Sequence, residues 1–258
     1  MTDYRASRKP YMFAALAGLF AMPLSAFAFH PLVTDDTGTQ GTGGNQLEIF
    51  YDYAKAKESG ASETGRAVPL TYTRGVTDAV DAFIGVDRLT DPVSGWSNVV
   101  IGAKWRFLEN EASKTSLAIK PEIALPVSES DEAKGLGNGE TSWGLTLIFT
   151  QETSFGEWYL NAAVERANLA VDDGSSRLTT YRVSAAPVWK LDGGWTVALD
   201  VGLTTNPDRS QDYLMGFAGV GAAYSPNDNL DLSFGLFRDF MDGPVENTLV
   251  TLGLTWRF

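Results

Sequence analysis

From Thr248 to Phe258 the chain alternates strictly, with Val250, Leu252, Leu254, Trp256 and Phe258 on one parity and Leu249, Thr251, Gly253, Thr255 and Arg257 on the other. Spacing by two puts the first set on one face of a β-strand and the second on the opposite face. From Gln46 onward about twelve segments of this kind recur, bounded by clusters of Gly, Pro, Asn, Asp or Ser. Their broad faces read, for example, Leu47, Ile49, Tyr51, Tyr53; Ile101, Ala103, Trp105, Phe107; Trp143, Leu145, Leu147, Phe149; and Tyr213, Met215, Phe217. The minor faces carry Lys104, Arg106, Lys120, Glu122, Glu165, Arg182, Lys190 and Asp200. Pro121 and Pro187 fall inside two segments, where each removes a ladder donor and is expected to mark a bulge.

The links between segments alternate in length. Lys57 to Gly65, Thr90 to Ser97, Ser128 to Glu140, Leu169 to Arg177, Asn206 to Gln211 and Asp242 to Asn247 are the longer set, and many are acidic. Gly75 to Asp78, Glu109 to Lys114, Ser154 to Gly156, Asp192 to Gly194 and Pro226 to Asn229 are short turns. Long loops at one end and tight turns at the other describe an outer-membrane barrel, whose even strand count leaves both termini in the periplasm. The expected fold is all-β, a transmembrane antiparallel up-and-down barrel of about twelve strands whose C-terminal strand ends in Phe258.

Alternation alone does not say which face is inside, and a soluble sandwich or lipocalin-like barrel would share the period. The aromatic end of the last strand and the amino terminus decide for the membrane. Arg5, Arg8 and Lys9 precede an apolar run, Tyr11 to Met22, and Ala26-Phe27-Ala28 is a small-x-small cleavage site, the layout of a secretory leader. Pro23 and Ser25 interrupt the run, which is short of the roughly 20 apolar residues of a retained membrane helix. The division is therefore a leader over residues 1–28, an N-terminal periplasmic or plug segment over 29–45, and a barrel over 46–258. A mean hydropathy of -0.10 fits, because barrel strands face lipid only at every second residue.

A net charge of -12, made more negative by loss of the leader, argues against nucleic acid as a partner. The absence of Cys removes disulfides and thiolate metal sites and suits an oxidising periplasm. His30 is the single histidine and sits just past the cleavage site, so no Ser-His hydrolase can be assembled at the outer rim. The expectation is a non-enzyme with no cofactor and no metal. The partners expected are outer-membrane lipids, the barrel-assembly machinery during insertion, and a small-molecule solute.

Past the cleavage site the chain reads His30-Pro31-Leu32-Val33-Thr34-Asp35-Asp36-Thr37-Gly38-Thr39-Gln40-Gly41, then Gln46-Leu47-Glu48, with Gly43 and Gly44 read as linker. This stretch resembles the amino-terminal signature of the outer-membrane proteins grouped as the meta-pathway phenol-degradation family. The resemblance implies an outer-membrane barrel of transporter type associated with the breakdown of aromatic compounds. Being polar and Gly-rich, the box is expected either to cover the periplasmic mouth or to fold into the lumen, with Pro31, Leu32, Thr34, Asp35, Asp36 and Gly38 as its site residues. Asp35 and Asp36 read either as hard-cation ligands or as an Asx-type turn, the turn being favoured.

By parity the residues expected to line the pore are Asp52, Asp81, Lys104, Arg106, Lys120, Glu122, Tyr159, Glu165, Arg182 and Asp200. Acids outnumber bases on the inward parity, which argues against strongly anionic solutes. The function expected is a channel or uptake protein for small molecules, aromatic or hydrophobic ones among them. The alternative is a non-conducting structural or adhesive barrel acting through its extracellular loops.

Overall fold

The computed structural model describes residues 31–58, 61–240 and 245–258. The leader at 1–28, His30 and part of the link from Asp242 lie outside the described residues. Thirteen strands form one antiparallel sheet, twelve of which close into a barrel. They are β1 (Asn45–Glu58), β2 (Ala61–Thr77), β3 (Val80–Asp91), β4 (Gly95–Trp96), β5 (Val100–Asn110), β6 (Thr115–Ala124), β7 (Ser142–Glu152), β8 (Gly156–Arg166), β9 (Thr179–Lys190), β10 (Trp195–Thr205), β11 (Leu214–Asn227), β12 (Leu230–Asp239) and β13 (Val245–Arg257). The extra strand is β4, which adds to β3 through Arg88↔Trp96. A short helix, α1 (Glu129–Glu132), occupies the link before β7.

Closure comes from β1 against β13, in register from Gln46↔Arg257 to Glu58↔Val245. Asn45 and Phe258 exchange two backbone hydrogen bonds of 3.1 and 3.0 Å, so the carboxy terminus locks onto the start of the barrel at its short-turn end. With each of the twelve barrel strands paired on both sides, the barrel wall leaves no edge to face hydrocarbon. The burial pattern is inverted relative to a soluble protein. Along β7, Trp143, Leu145 and Leu147 are exposed while Thr146, Ile148 and Thr150 are buried. An apolar exterior with a filled polar interior is the solution for strands solvated by lipid.

Three expectations need correction. Tyr213, Met215 and Phe217 were expected to face outward, but Phe217 is 4 % exposed and pairs with Gly202, a residue of the inward parity, while Val220 opposite Leu199 is exposed. In β11 Gly and Ala occupy both parities, so hydrophobicity carries no sign there, and the Phe217 ring goes where glycine leaves room. Added to Gly202, a Cβ would lie 2.4 Å from the Phe217 ring.

Pro121 and Pro187 mark no bulges. Both strands hold register past the proline, Gly102↔Glu122 continuing to Trp105↔Ile119 and Val201↔Ala185 to Ala198↔Val188, with only the intervening ladder pairs missing. Each proline keeps its other neighbour, Leu145 or Trp158. The bulge in this region is at Phe107, between Arg106 and Leu108. The first link is also shorter than expected, because β1 runs on to Glu58 and β2 begins at Ala61.

At the loop end the longer links are tied to one another. The Glu132 carboxylate accepts N–H bonds from Gly139, Ala170 and Val171 at 2.9, 3.1 and 3.2 Å. Leu136 is 5 % exposed and packs on Gly95, where a Cβ would meet it at 2.3 Å.

Candidate functional site in the barrel lumen

Residues 31–44 run through the interior, and the barrel supplies their polar partners. A segment this polar has no core of its own, so each buried backbone group must find a bond on the wall. Near the start, the Asp200 carboxylate accepts the N–H groups of Val33 and Thr34 at 2.6 and 2.9 Å and the Thr34 hydroxyl at 2.5 Å. Pro31 and Leu32 pack against Gly221 and Gly235, where a Cβ would stand 2.9 Å from Leu32 and 2.8 Å from Pro31. Leu32 joins an apolar cluster with Tyr159, Ala186, Val188, Ala198, Phe217 and Phe237.

Next, Asp35 and Asn161 bond reciprocally, the Asp35 N–H to Oδ1 at 2.7 Å and the Asn161 Nδ2 back to the Asp35 carbonyl at 2.8 Å. The Asp35 carboxylate meets two lysines, Lys120 at 2.9 Å and Lys104 at 3.6 Å, and all three side chains are at most 4 % exposed. Lys104 also donates to the Asp36 carbonyl at 3.0 Å. Asp36 Oδ1 accepts the Gly38 N–H at 2.5 Å, closing an Asx turn. Asp35 thus sits in an ion cluster, and Asp36 closes a turn while its carboxylate also approaches Lys104 at 3.8 Å. Facing two ammonium groups, Asp35 is poorly placed to ligate a cation, and no metal-ligating cluster occurs among the described residues.

Toward the turn end, Thr37 donates its N–H to Thr150 and bonds through its hydroxyl with Ser116. The Asp81 carboxylate accepts the Gln40 N–H at 3.0 Å, and Asp78 accepts both the N–H and the hydroxyl of Thr42 at 3.0 and 2.6 Å. These Thr42 bonds hold the Asp78 carboxyl below the usual carboxylate range. Gly43 and Gly44, read from sequence as linker, dock on Gly75 by two backbone bonds of 2.9 Å. A Cβ on Gly75 would lie 1.7 Å from the Gly41 carbonyl oxygen, so that approach requires glycine.

The residues selected by parity separate into groups. Asp81, Lys104, Lys120 and Asp200 touch the internal segment directly, and Tyr159 touches it through the Leu32 cluster. The Tyr159 hydroxyl donates to Glu157 at 2.6 Å. Arg182 and Glu165 pair with each other at 3.7 Å nearer the loop end. Glu122, also near that end, has a buried oxygen without a hydrogen-bond partner. Asp52 sits midway along β1, partly buried, opposite Thr251 of β13. Arg106 lies at the turn end, bonded to the Asp78 carbonyl and to Glu109. Lys190, expected inward, is 61 % exposed at the rim and pairs with Glu157 at 2.8 Å, because it ends its strand beside the turn.

Sequence reasoning missed Phe217 and Thr150 as site residues, whereas Asn161 is of the inward parity that the sequence shows. Phe217 could have been found from the spacing of small residues, since the barrel's rings lie over inward glycines. A Cβ at Gly219 would meet Phe237 at 2.2 Å, at Gly253 Phe50 at 2.0 Å, and at Gly102 Phe83 at 2.3 Å. On the loop side of the internal segment, Val33, Phe217, Phe237, Arg238, Asp239, Asn247 and Leu249 line a small, partly open recess.

An apolar outer belt on a closed antiparallel barrel places the chain in the bacterial outer membrane. Solved structures share the fold. An outer-membrane channel from Pseudomonas putida F1 superimposes with a TM-score of 0.65 at 17 % identity, covering 86 % of this chain and 98 % of that one. The NanC porin gives 0.59 at 9 % identity, over 81 % and 98 %. A FadL homologue from Pseudomonas aeruginosa gives 0.51 at 10 % identity, over 86 % and 92 %. Among curated proteins none matches the sequence. The family model described as "Putative MetA-pathway of phenol degradation" matches residues 30–258, and the chain belongs to that family.

Proposed function

We propose that this protein is a non-enzymatic outer-membrane channel or uptake protein for small molecules, aromatic or hydrophobic ones, with residues 31–44 as a plug seated in its lumen. The lumenal course of that segment carries the reading. It crosses the barrel from Asp200 to Asp78, so any solute must pass or displace it. In the mature chain a leader over 1–28 would be removed, freeing the amino terminus to enter the lumen from the periplasm. Family membership supports an aromatic cargo, and likeness in fold to channels and porins supports passage through the barrel. The route would be lined by Asp52, Asp81, Lys104, Arg106, Lys120, Glu122, Tyr159, Glu165, Arg182 and Asp200.

Val33, Phe217, Phe237 and Leu249 make the loop-side floor apolar. Lys104 and Lys120 are engaged by Asp35, and toward the loop end the wall carries the carboxyl groups of Asp87, Glu122 and Glu165 against the single base Arg182. A neutral ring is therefore favoured over an aromatic carboxylate. Outer-membrane lipids and the assembly machinery remain the partners of insertion.

Proteoliposomes containing the full barrel test this reading. Phenol-like solutes should enter faster than into protein-free vesicles and faster than an aromatic carboxylate of similar size. Entry equal to that of protein-free vesicles would remove the channel role. The second reading, a non-conducting barrel acting through its loops, is favoured by the Glu132 ties that organise the loop end. It predicts impermeable vesicles together with loss of surface adhesion when Ser128 to Glu140 is shortened.

A further inference from the structure

The outward residue that ends the apolar belt is a base on four of five adjacent strands. On β1 the outward series Leu47, Ile49, Tyr51, Tyr53 ends at Lys55; on β2, Tyr72, Leu70 and Val68 end at Arg66; on β3, Val80, Ala82, Ile84 and Val86 end at Arg88; on β12, Leu230 to Leu236 end at Arg238. The fifth strand, β13, lies between β1 and β12 and places Thr248 on the same rung as Lys55 and Arg238. Lys57 follows one step beyond Lys55. In a chain of net charge -12 this concentration on one sector of the outer circumference is not a consequence of composition. On β9 and β10 the outward residue that ends the series is Thr179 and Thr205 respectively. On β8 it is Arg166, which is bonded to Asn168 and Thr179.

Two carboxylates share the band. Asp91 pairs with Arg66 at 2.9 Å and Glu246 with Arg238 at 3.2 Å. Lys55, Lys57 and Arg88 form no ion pair among the described residues, and Lys57 has Glu246 as its cross-strand neighbour on β13. Aromatic rings steady two of the guanidinium groups: Arg66 lies over Tyr53 at 5.8 Å and Arg88 over Trp96 at 5.5 Å. Trp96 is there because β4 adds to β3, and it is 53 % exposed.

An apolar belt in the acyl region, topped by cations with aromatic support, complements an amphiphile whose anionic groups sit at the head-group level. With the loop end facing outward, that level belongs to the outer leaflet. We propose that the band formed by Lys55, Lys57, Arg66, Arg88 and Arg238 binds the phosphate groups of the phosphorylated glycolipid of that leaflet, while the belt below it packs on the acyl chains. The inference depends on the orientation of the barrel and is independent of its conducting anything. Cations at a lipid surface act additively, so removing several weakens retention by orders rather than fractions.

The test uses the full chain purified from outer membranes in mild detergent. Lipid bound per barrel is quantified after washing for wild type and for Lys55→Gln/Arg66→Gln/Arg88→Gln/Arg238→Gln, each offered bisphosphorylated lipid A or the same lipid with its phosphates removed. Wild type should retain the phosphorylated lipid about tenfold or more above the variant. The dephosphorylated lipid should be retained equally poorly by both, and Arg166→Gln should behave as wild type. Millimolar inorganic phosphate should not displace the lipid; displacement would mean a free-anion site and would overturn the proposal. Equal retention by wild type and variant, or equal retention of the two lipids, would overturn it as well. Should the fourfold variant lose heat-modifiable mobility, Lys55→Gln/Lys57→Gln, which disturbs no ion pair among the described residues, replaces it with the same expected direction.

Discussion

Lys120 Nζ lies 2.9 Å from Asp35 Oδ2, with the two side chains 4 % and 3 % exposed, so a lumenal ion pair joins the N-terminal segment to the wall of β6. Breaking a buried pair from one side leaves an uncompensated charge, at a cost of about 3–5 kcal/mol. Asp35→Asn should therefore unseat the segment while the barrel stays folded. Heat-modifiable mobility is expected to persist, and limited proteolysis should cut between residues 31 and 44. Adding Lys104→Met and Lys120→Met should recover part of the protection, because the stranded cations are then gone. A segment equally protected in Asp35→Asn and wild type would show that the pair does not hold it.

Leu199 and Asp200 are neighbours with opposite duties. Leu199 is 46 % exposed to lipid, and Asp200 is fully buried under Val33 and Thr34. Leu199→Arg should cost about 2–4 kcal/mol of barrel stability. Asp200→Asn should leave barrel stability nearly unchanged and loosen the plug. Urea titrations of the refolded barrel separate the two, and the reverse ranking would mean that the faces are exchanged.

Gly202 gives Phe217 its place on the wall. Gly202→Val should push the ring into the recess, with overpacking of about 1–3 kcal/mol and reduced solute entry. Combining it with Phe217→Ala should restore stability. Additive losses in the double variant would show that the ring does not rest on that glycine.

The hairpin pattern also fixes what a cell presents. Tags within Ser128 to Glu140 should be labelled on intact cells, and tags within Asp192 to Gly194 only after permeabilisation. Labelling of the second set on intact cells would invert the barrel.

The barrel was legible because lipid demands an apolar residue at every second position and nothing else in the chain repeats with that period. Leu47 to Tyr53 and Val250 to Phe258 state their faces without ambiguity. Legibility failed in β11, where Phe217 stands among Gly216, Ala218 and Gly219 and either parity would satisfy lipid. The lumenal site was half legible. Lys104, Lys120 and Asp200 announce themselves as charges on an inward parity, but their partners are remote, Thr34 lying 166 residues from Asp200. A segment with no period, such as Pro31 to Gly44, does not reveal its path. Only the bonding needs of its buried backbone select that path, and those depend on the assembled wall. The prolines show the same limit, since Pro121 and Pro187 open ladder gaps beside Lys104 and Asp200 without shifting register.

Planar-bilayer conductance of the refolded chain beginning at residue 31, compared with one beginning at Asn45, tests the plug most directly. The barrel lacking residues 31–44 should fold, keep its heat-modifiable mobility, and conduct in larger and steadier steps than the longer chain. Identical conductance from two folded barrels would contradict a plug in the lumen, and failure of the shorter chain to fold would make the segment part of the barrel's structural core instead.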